Sequence, residues 1–321
     1  MKKVILGRTQ ESVSSISLGT WSYGGGNKSG NASVGWAGQN DNDSVAALKK
    51  AYEVGISHWD TADVYGNGRS EKIIGTMWKS IPRNDIFLAT KVGWNKGGYS
   101  NWYHPKMMQQ HLEASLANLK TDIVDLYYLH HCNFDSDTVF EDAVNMLYRF
   151  REQGKIRFIG LSDWNLSKIM KYIERANPDV IQPYRSLYDD TYASSGLKKW
   201  IDEHTLGVCF FSPLKHGLLT GKYNEPQTFP DGDFRRGVDE FGDPDVIAKM
   251  KQNKRILEEK FRDHAQPVMH GVVDALLTDA PTGCVLLGQR DEKQVLAAAE
   301  LGDALSQAEA DFVLKLYGKQ N

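Results

Sequence analysis

Short apolar runs alternate with longer amphipathic segments along almost the whole chain. The short runs predict β-strands, and the segments between them, in which apolar residues recur every three or four positions, predict helices. The predicted strands are residues 15–19, 56–60, 86–91, 124–130, 158–161, 180–182, 207–211 and 284–287. The predicted helices are residues 43–54, 70–78, 105–119, 139–153, 166–176 and 195–203, with one or two more between 244 and 278.

This alternation predicts the fold class. Strands that alternate with helices favour a parallel sheet, and eight such units are the number that closes an α/β barrel. The 321 residues fit one TIM (β/α)8 barrel domain with extra helices and loops at its C-terminal face. A doubly wound open sheet is the structural alternative. Residues 1–14 predict a β-hairpin at the bottom of the barrel, and the Gly- and Pro-rich segment 213–245 predicts a loop that covers a cofactor.

Composition and charge narrow the functional classes. A net charge of −3 provides no reason to expect nucleic acid or an anionic membrane as a partner. No apolar stretch reaches the roughly 18 residues needed to span a bilayer. Gly7 and Arg8 interrupt the apolar start, so no signal peptide is predicted and the cytoplasm is the expected compartment. Cys132, Cys209 and Cys284 are too scattered for a disulfide framework or a CxxC metal site, and the last two are expected to be buried, inert thiols.

Three of the predicted strands end in an ionisable side chain. Asp60, Lys91 and His130 close these strands, and Tyr65 follows Asp60 in the next turn. The steps of 31 and 39 residues each correspond to one strand-plus-helix unit, which takes roughly 30 residues or more. In neighbouring parallel strands the four side chains would meet at the carboxyl ends, where barrel enzymes have their active sites. The sequence therefore predicts an enzyme.

These side chains have the chemistry to reduce a carbonyl group, which needs a hydride at carbon and a proton at oxygen. A tyrosine hydroxyl has an ordinary pKa of about 10. A neighbouring ammonium lowers that pKa, so Lys91 is expected to activate Tyr65 as general acid/base. Asp60 would keep Lys91 charged and oriented, and His130 would donate a hydrogen bond to the substrate oxygen. Asp60 and Asp63 do not form a metal site, because no further ligands cluster beside them.

Two alternatives stay open at this point. Taken singly, each of the four residues has an ordinary structural interpretation, such as a solvated charge or a packed ring, although the combination is far rarer by accident. A different barrel enzyme, a lyase that uses Lys91 as a Schiff-base nucleophile, is the second alternative. No GxGxxG or Walker-type loop follows an early strand, so the usual nucleotide fingerprints are absent.

The same residues stand in motifs that resemble the aldo-keto reductase superfamily. The resemblance runs from Leu6 to the C-terminal helix, and its branch includes bacterial reductases and potassium-channel β subunits. The motifs are Trp-Asp-Thr-Ala-Asp-Val-Tyr-Gly at 59–66, Thr-Lys at 90–91, Leu-Tyr-Tyr-Leu-His at 126–130 and Gly-Leu-Ser at 160–162.

The resemblance implies a TIM barrel that binds NADP(H) in an extended conformation without a Rossmann domain. It also implies that Asp60, Tyr65, Lys91 and His130 are the catalytic tetrad, with Tyr65 as general acid/base. His130 is preferred over His131 because it ends the Leu-Tyr-Tyr-Leu run, where the family histidine stands.

The resemblance further implies the residues at the nicotinamide end of the cofactor. Ser162, Asp163 and Gln182 match positions that hold the carboxamide, although the residue after the serine is usually asparagine. An ionised aspartate only accepts hydrogen bonds, and it would repel phosphate. Phe211 matches the aromatic platform against the nicotinamide ring. Thr20, Trp21 and Asp60 complete this group of predicted cofactor contacts.

The phosphate end of the cofactor is implied in the same way. The loop over the pyrophosphate matches Ser212, Pro213, Leu214, Gly217 and Lys222. The adenosine 2′-phosphate would meet Gly288, Arg290 and Gln294 at a helix N-terminus, where free N–H groups favour an anion. Gly288, Gln294 and Ala298 replace the Lys, Arg and Asn of one common family pattern. Arg290 favours NADP(H), and NAD(H) is the less favoured cofactor.

Aromatic residues at the same face predict a substrate pocket. Trp21, Trp94 and the pair Trp102-Tyr103 would shape an apolar pocket around the carbonyl carbon, with Tyr65 and His130 at its head. The leading hypothesis is an NADPH-linked reductase of a small carbonyl compound, or the reverse alcohol or sugar dehydrogenase, as a monomer or homo-oligomer. The rival is an NADPH-binding regulatory subunit with little turnover. His130 favours the enzyme, because that position is often asparagine in the channel-subunit branch.

Overall fold

The apolar runs predicted as strands pair with one another in chain order and close into a barrel. The computed structural model describes residues 1–318. Its strands are β1 (Lys3–Ile5), β2 (Ser12–Ser14), β3 (Ile16–Gly19), β4 (Lys28–Ser29), β5 (Ala32–Ser33), β6 (His58–Asp60), β7 (Phe87–Val92), β8 (Val124–Leu129), β9 (Ile156–Asp163), β10 (Val180–Pro183), β11 (Gly207–Phe210) and β12 (Gly283–Gly288). The barrel runs from β3 through β6 to β12, and β12 pairs with β3 to close it.

All eight neighbouring pairs in the barrel are parallel. The predicted TIM barrel is therefore confirmed, and the open-sheet alternative is wrong, because Val285 to Gly288 pair with Ile16 to Gly19 and leave no free sheet edge. Since all eight strands run in one direction, their carboxyl ends share one face of the molecule.

The helices pack around the barrel and begin at side chains that cap their first turns. Asn40 and Ser136 each accept a hydrogen bond from a first-turn backbone N–H, and Pro105 stands at a first position as predicted. The helices are α1 (Asp41–Glu53), α2 (Arg69–Gly75), α3 (Pro105–Leu119), α4 (Asp137–Glu152), α5 (Leu166–Ala176), α6 (Leu197–His204), α7 (Pro244–Lys260), α8 (Pro267–Met269), α9 (Ala275–Thr278), α10 (Glu292–Ala299) and α11 (Gln307–Tyr317). A π-helical turn, His270–Asp274, joins α8 to α9.

The predicted N-terminal hairpin is present and closes the bottom of the barrel. β1 and β2 pair antiparallel, and Leu6 and Val13 are fully buried against the amino-terminal ends of the barrel strands. Gly7 has a φ of 49°, and a Cβ there would lie 2.1 Å from the backbone nitrogen of Gly207. Only glycine fits this contact, which seats the hairpin against the start of β11.

The opposite face carries the long connections. Loops that follow β3, β7 and β11 contribute residues 20–40, 93–104 and 211–243 to this face. Within residues 1–318, no helix has the length and apolar character needed to cross a bilayer.

Candidate active site

The four ionisable residues predicted at strand ends meet at the carboxyl face. Asp60 is the last residue of β6, Lys91 lies near the end of β7, and His130 directly follows β8. Tyr65 lies in the turn between β6 and α2, and its backbone N–H donates to the carbonyl oxygen of Ala62. Three neighbouring strands and one turn thus bring together a carboxylate, an ammonium, an imidazole and a phenol.

The ammonium of Lys91 is completely buried and has a partner for each of its hydrogens. It forms an ion pair with Asp60 Oδ1, donates to the carbonyl oxygen of Thr61 at 2.7 Å, and lies 3.4 Å from the Tyr65 hydroxyl. Gln182 Nε2 donates to the second Asp60 oxygen at 2.8 Å. Burial lowers the pKa of Lys91, but Asp60 and Tyr65 outweigh burial and raise it, so the side chain stays charged.

Two opposing effects act on the Tyr65 hydroxyl. Burial raises its pKa, and the nearby Lys91 lowers it, with a net raised pKa. Lys91 lowers the pKa of Tyr65 as expected, but the loss of hydration on burial is the larger effect, and the charge of Asp60 adds to it, so the net direction is upward. The phenol therefore retains its proton at neutral pH.

His130 is the histidine that faces the site, and His131 is held away from it. His131 is 1% exposed, and its ring is fixed between the carbonyl oxygen of Gly93 and the backbone N–H of Asn133. The Nδ1 atom of His130 is buried without a hydrogen-bond partner. Burial and the charge of Lys91 hold the pKa of His130 well below its ordinary value. The ring is therefore a neutral imidazole that can donate one hydrogen bond.

A cavity of about 1030 Å³ leads away from these side chains across the carboxyl face. Asp60, Tyr65 and His130 border one end, with Lys91 buried behind them, and the other end reaches the first turn of α10. The predicted cofactor and substrate residues line it except Asp163 and Tyr103, and Tyr103 is instead fully buried with its hydroxyl bonded to the carbonyl oxygen of His131. The residues that line the cavity as predicted are Thr20, Trp21, Asp60, Tyr65, Trp94, Trp102, His130, Ser162, Gln182, Phe211, Ser212, Pro213, Leu214, Gly217, Lys222, Gly288, Arg290 and Gln294.

Asp163 has a different position from the one predicted. Its two carboxylate oxygens accept the backbone N–H groups of Cys132 and Asn165, each at 2.7 Å, and it does not line the cavity. The charge thus fixes the loops after β8 and β9. Ser162 and Gln182, both 2% exposed, are the polar groups beside the tetrad.

The far end of the cavity presents positive charge. Arg290 Nη2 donates to the carbonyl oxygen of Ala37 and Nε to Gln39 Oε1, both at 2.8 Å. Among residues 1–318, no carboxylate lies within ion-pair distance of Arg290 or Lys222. Gly288 has no atom within 4 Å of the position a Cβ would take, so its backbone is open to the cavity.

These features fit a dinucleotide. Two cations of the cavity without carboxylate partners, Arg290 and Lys222, match phosphates, and a polar amide pocket next to Tyr65 matches a nicotinamide. Gln182 and Ser162 would hold the carboxamide, Phe211 would face the ring, and Arg290 with Lys222 would meet phosphates.

Four aromatic residues of the cavity were missed by sequence reasoning. Trp36, Trp164, His216 and Phe234 form a connected ring cluster around Trp21, whose centroid lies 5.0 Å from that of Phe234. Trp164 directly follows β9, and that position was the one available signal. The other three come from loops whose positions no local pattern predicts.

Two of the loops at the carboxyl face, residues 26–37 and 231–235, are connected over the cavity by hydrogen bonds. We term this pair of segments the mouth clasp. Asn27 and Gly35 N–H groups donate to the carbonyl oxygen of Gly232, and Asp233 accepts from the N–H of Ala37 at 3.1 Å. Asp233 is fully buried, and its two carboxylate oxygens accept hydrogen bonds from Arg235, from Nε at 2.9 Å and from Nη2 at 2.7 Å. The predicted loop 213–245 thus covers the cavity, with a partner loop from the start of the chain.

Comparisons with known proteins agree with this geometry. A profile of the aldo/keto reductase family matches residues 15–311. The chain is 35% identical over 198 residues to an NADP(+) aldo-keto reductase of Schizosaccharomyces pombe, over 60% of this chain and 58% of that relative. The match therefore spans little more than half the length of that relative.

Two further matches cover a larger share of both chains. The chain is 32% identical over 235 residues to an NADH-specific methylglyoxal reductase of Escherichia coli, over 69% of this chain and 70% of that protein. It is also similar to the solved structure of a glycerol dehydrogenase from Gluconobacter oxydans, with a TM-score of 0.82 and 28% identity, over 98% of this chain and 94% of that chain.

Proposed function

The chain belongs to the aldo/keto reductase family, and we propose that it is an NADP(H)-dependent oxidoreductase that interconverts an aldehyde or ketone and the corresponding alcohol. The observation that carries this proposal is the contact of the Tyr65 hydroxyl with the buried Lys91 ammonium, 3.4 Å apart at the head of the cavity. A phenol beside a fixed cation is able to give up a proton to a carbonyl oxygen and to take it back.

Each of the four ionisable side chains has its own role in the proposed reaction. A bound nicotinamide cofactor supplies or accepts the hydride. Tyr65 donates the proton to the carbonyl oxygen, and Lys91 stabilises the phenolate that remains. The neutral His130 donates a hydrogen bond to the same oxygen and orients it. Asp60, bonded by both Lys91 and Gln182, fixes the direction of the ammonium.

NADP(H) is proposed over NAD(H) on the basis of Arg290, which lines the cavity beside the first turn of α10. Its guanidinium has hydrogen-bond capacity to spare for the 2′-phosphate, whereas Lys222, matched to the pyrophosphate, would serve either cofactor. The relatives include an NADP(+) enzyme and an NADH-specific one, so family membership alone does not decide this preference.

The substrate is proposed to be a small carbonyl compound, an alcohol or a sugar. Trp21 stacks 6.1 Å from Tyr65, and Trp94 lies 6.3 Å from His130, so aromatic rings flank the reacting position. Asn67 and Asn95 also line the cavity and offer amide groups to substrate hydroxyls. Glycerol is the substrate named for the structural relative from Gluconobacter oxydans.

The regulatory-subunit alternative and the enzyme are distinguished by Tyr65→Phe. This variant keeps the ring and loses the proton, so we expect NADPH affinity near that of the wild type and a loss of carbonyl reduction of about a hundredfold or more. The measurements are NADPH binding by quenching of tryptophan fluorescence and turnover over a panel of aldehydes and sugars. Near-normal turnover would remove Tyr65 from its role. Tight binding by a wild type that reduces none of the panel would favour the regulatory subunit.

A further inference from the structure

A second polar cluster lies inside the barrel, below the tetrad. Ser17, His58, Cys209 and Cys284 come from β3, β6, β11 and β12, which are four consecutive strands of the barrel. All four are 0% exposed. His58 stands two residues before Asp60, so both side chains point into the barrel, and the cluster occupies the layer beneath the catalytic carboxylate.

The donor atoms of this cluster already converge. His58 Nδ1 lies 2.9 Å from the Ser17 hydroxyl and 3.5 Å from Cys284 Sγ. Cys209 and Cys284 are register partners in adjacent strands. One ligand atom each of His58, Cys209 and Cys284 lie within 4.8 Å of one another.

The separation of His58 and Cys284 is that of two neighbouring ligands in a tetrahedral metal centre. With Zn–S bonds of about 2.3 Å and Zn–N bonds of about 2.0–2.1 Å, neighbouring nitrogen and sulfur ligands are roughly 3.5 Å apart. The separation of His58 Nδ1 and Cys284 Sγ has this value. Two thiolates and an imidazole are also the donor types that select zinc over magnesium or calcium.

We propose that His58, Cys209 and Cys284 form a buried binding site for one thiophilic divalent cation, Zn²⁺, with the Ser17 hydroxyl as a fourth donor. Two thiolates and a neutral imidazole around a doubly charged ion have no net charge, which allows the group to stay inside the barrel. Binding releases the two thiol protons to solvent.

The site lies at the seam where the barrel closes. β12 pairs with β3, so the ligands connect the last strand of the barrel to the first two. A metal ion here would hold the ends of the barrel together, independently of the proposed reaction at the carboxyl face. The site is thus structural in type, with no open coordination position reaching the cavity.

The test uses the full chain purified without chelators. We expect about one zinc per chain by elemental analysis, and cobalt exchanged into the same site should give the visible absorption and thiolate charge-transfer bands of tetrahedral cobalt. Cys209→Ser and Cys284→Ser should lose both signals. Cys132→Ser, which changes the third buried thiol, is the matched control and should retain them.

A thiol count on the denatured, non-reduced protein completes the experiment. Protein that binds neither zinc nor cobalt and titrates as three free thiols would overturn the site. A single free thiol without metal, that of Cys132, would overturn it in favour of a Cys209–Cys284 disulfide. If the serine variants do not fold, as judged by circular dichroism, the presence or absence of the cobalt–thiolate bands in the wild type decides the question.

Discussion

Two opposing effects, the loss of hydration on burial and the attraction of nearby charges, set the protonation states of Lys91 and Tyr65 at the head of the cavity. The Lys91 ammonium is buried, yet three partners hold it in its charged form. Tyr65 loses hydration, which raises its pKa, and Lys91 offsets only part of this effect. A protonated tyrosine beside a lysine that stays charged can act as general acid for carbonyl reduction at neutral pH. The reverse reaction, alcohol oxidation, requires the tyrosine as phenolate, because it must accept a proton.

The pH dependence of the two directions follows from this balance. Carbonyl reduction should be flat through neutral pH, and alcohol oxidation should rise into the alkaline range as Tyr65 ionises. Lys91→Met removes the group that lowers the pKa of Tyr65, so the rise in oxidation should move to higher pH, with kcat lower by about a hundredfold or more. The measurement is kcat/KM against pH in both directions. Lys199→Met, which changes an exposed lysine on α6, is the control, and an unshifted profile in Lys91→Met would contradict the assignment.

Arg290 provides the matching prediction at the other end of the cavity. Arg290→Ala should weaken NADPH by roughly ten- to hundredfold, the equivalent of a hydrogen bond to a charged group, and leave NADH nearly unchanged. Dissociation constants from fluorescence titration provide the check. Arg236→Ala, which removes a neighbouring exposed arginine paired with Asp231, is the control. Equal weakening of both cofactors would remove the 2′-phosphate role.

At the scale of elements, α3 is tied to the turn that carries Tyr65. His111 Nδ1, on α3, and Asp63 Oδ2, in the turn, lie 2.6 Å apart. The hydrogen bond to Asp63 raises the pKa of His111, and burial raises the pKa of Asp63. Because the folded state holds the His111 proton more tightly, this stabilisation is complete below the ordinary histidine pKa of 6.5 and is lost as the pH rises through the raised pKa of His111. The raised pKa of Asp63 acts in the same direction, but from its own ordinary value of 3.8 upward.

Substitution of His111 or Asp63 should lower the free energy of unfolding, and the loss should depend on pH in a defined direction. His111→Leu leaves the Asp63 carboxylate buried without its partner, so the free energy of unfolding should fall by about 1–3 kcal/mol. The deficit relative to the wild type should be largest below pH 6.5 and shrink as the pH rises. Urea unfolding at a series of pH values measures it. The double variant Asp63→Asn with His111→Leu should lose less than the sum of the single changes; strict additivity would mean that the two side chains do not interact.

For the whole molecule, the mouth clasp joins segments about two hundred residues apart over one cavity. Asp233 holds it together from a fully buried position, whereas the Lys28–Asp231 pair at its rim is largely exposed. Burial raises the pKa of Asp233, but the bonds from Arg235 outweigh burial and keep it low, so the carboxylate is charged throughout the physiological range.

Cofactor release should depend on this buried carboxylate. Asp233→Asn weakens the Arg235 pair and the bond from Ala37, so we expect NADPH to dissociate roughly tenfold faster, the equivalent of one hydrogen bond to a charged group. Stopped-flow tryptophan fluorescence measures the rate. Asp231→Asn is the control, because an exposed ion pair contributes little. Unchanged release from Asp233→Asn would mean that the clasp does not open during turnover.

The sequence by itself determined the barrel and the placement of Asp60, Tyr65, Lys91 and His130 at one face of it. Both depend on local patterns: apolar runs of strand length, helical periodicity between them, and ionisable residues at strand ends. A parallel barrel brings all strand ends to one face, so Asp60, Lys91 and His130 needed no further information to be placed together.

Only the tertiary structure decided the features that depend on distant segments. The raised pKa of Tyr65 results from burial by surrounding loops, and Asp163 is occupied by two backbone N–H groups that no motif predicts. The convergence of Cys209 and Cys284 on His58 exists because the last barrel strands close against the first. The spacing of residues along the chain does not predict such contacts, because they depend on the strand register with which the barrel closes and on the paths of the long loops.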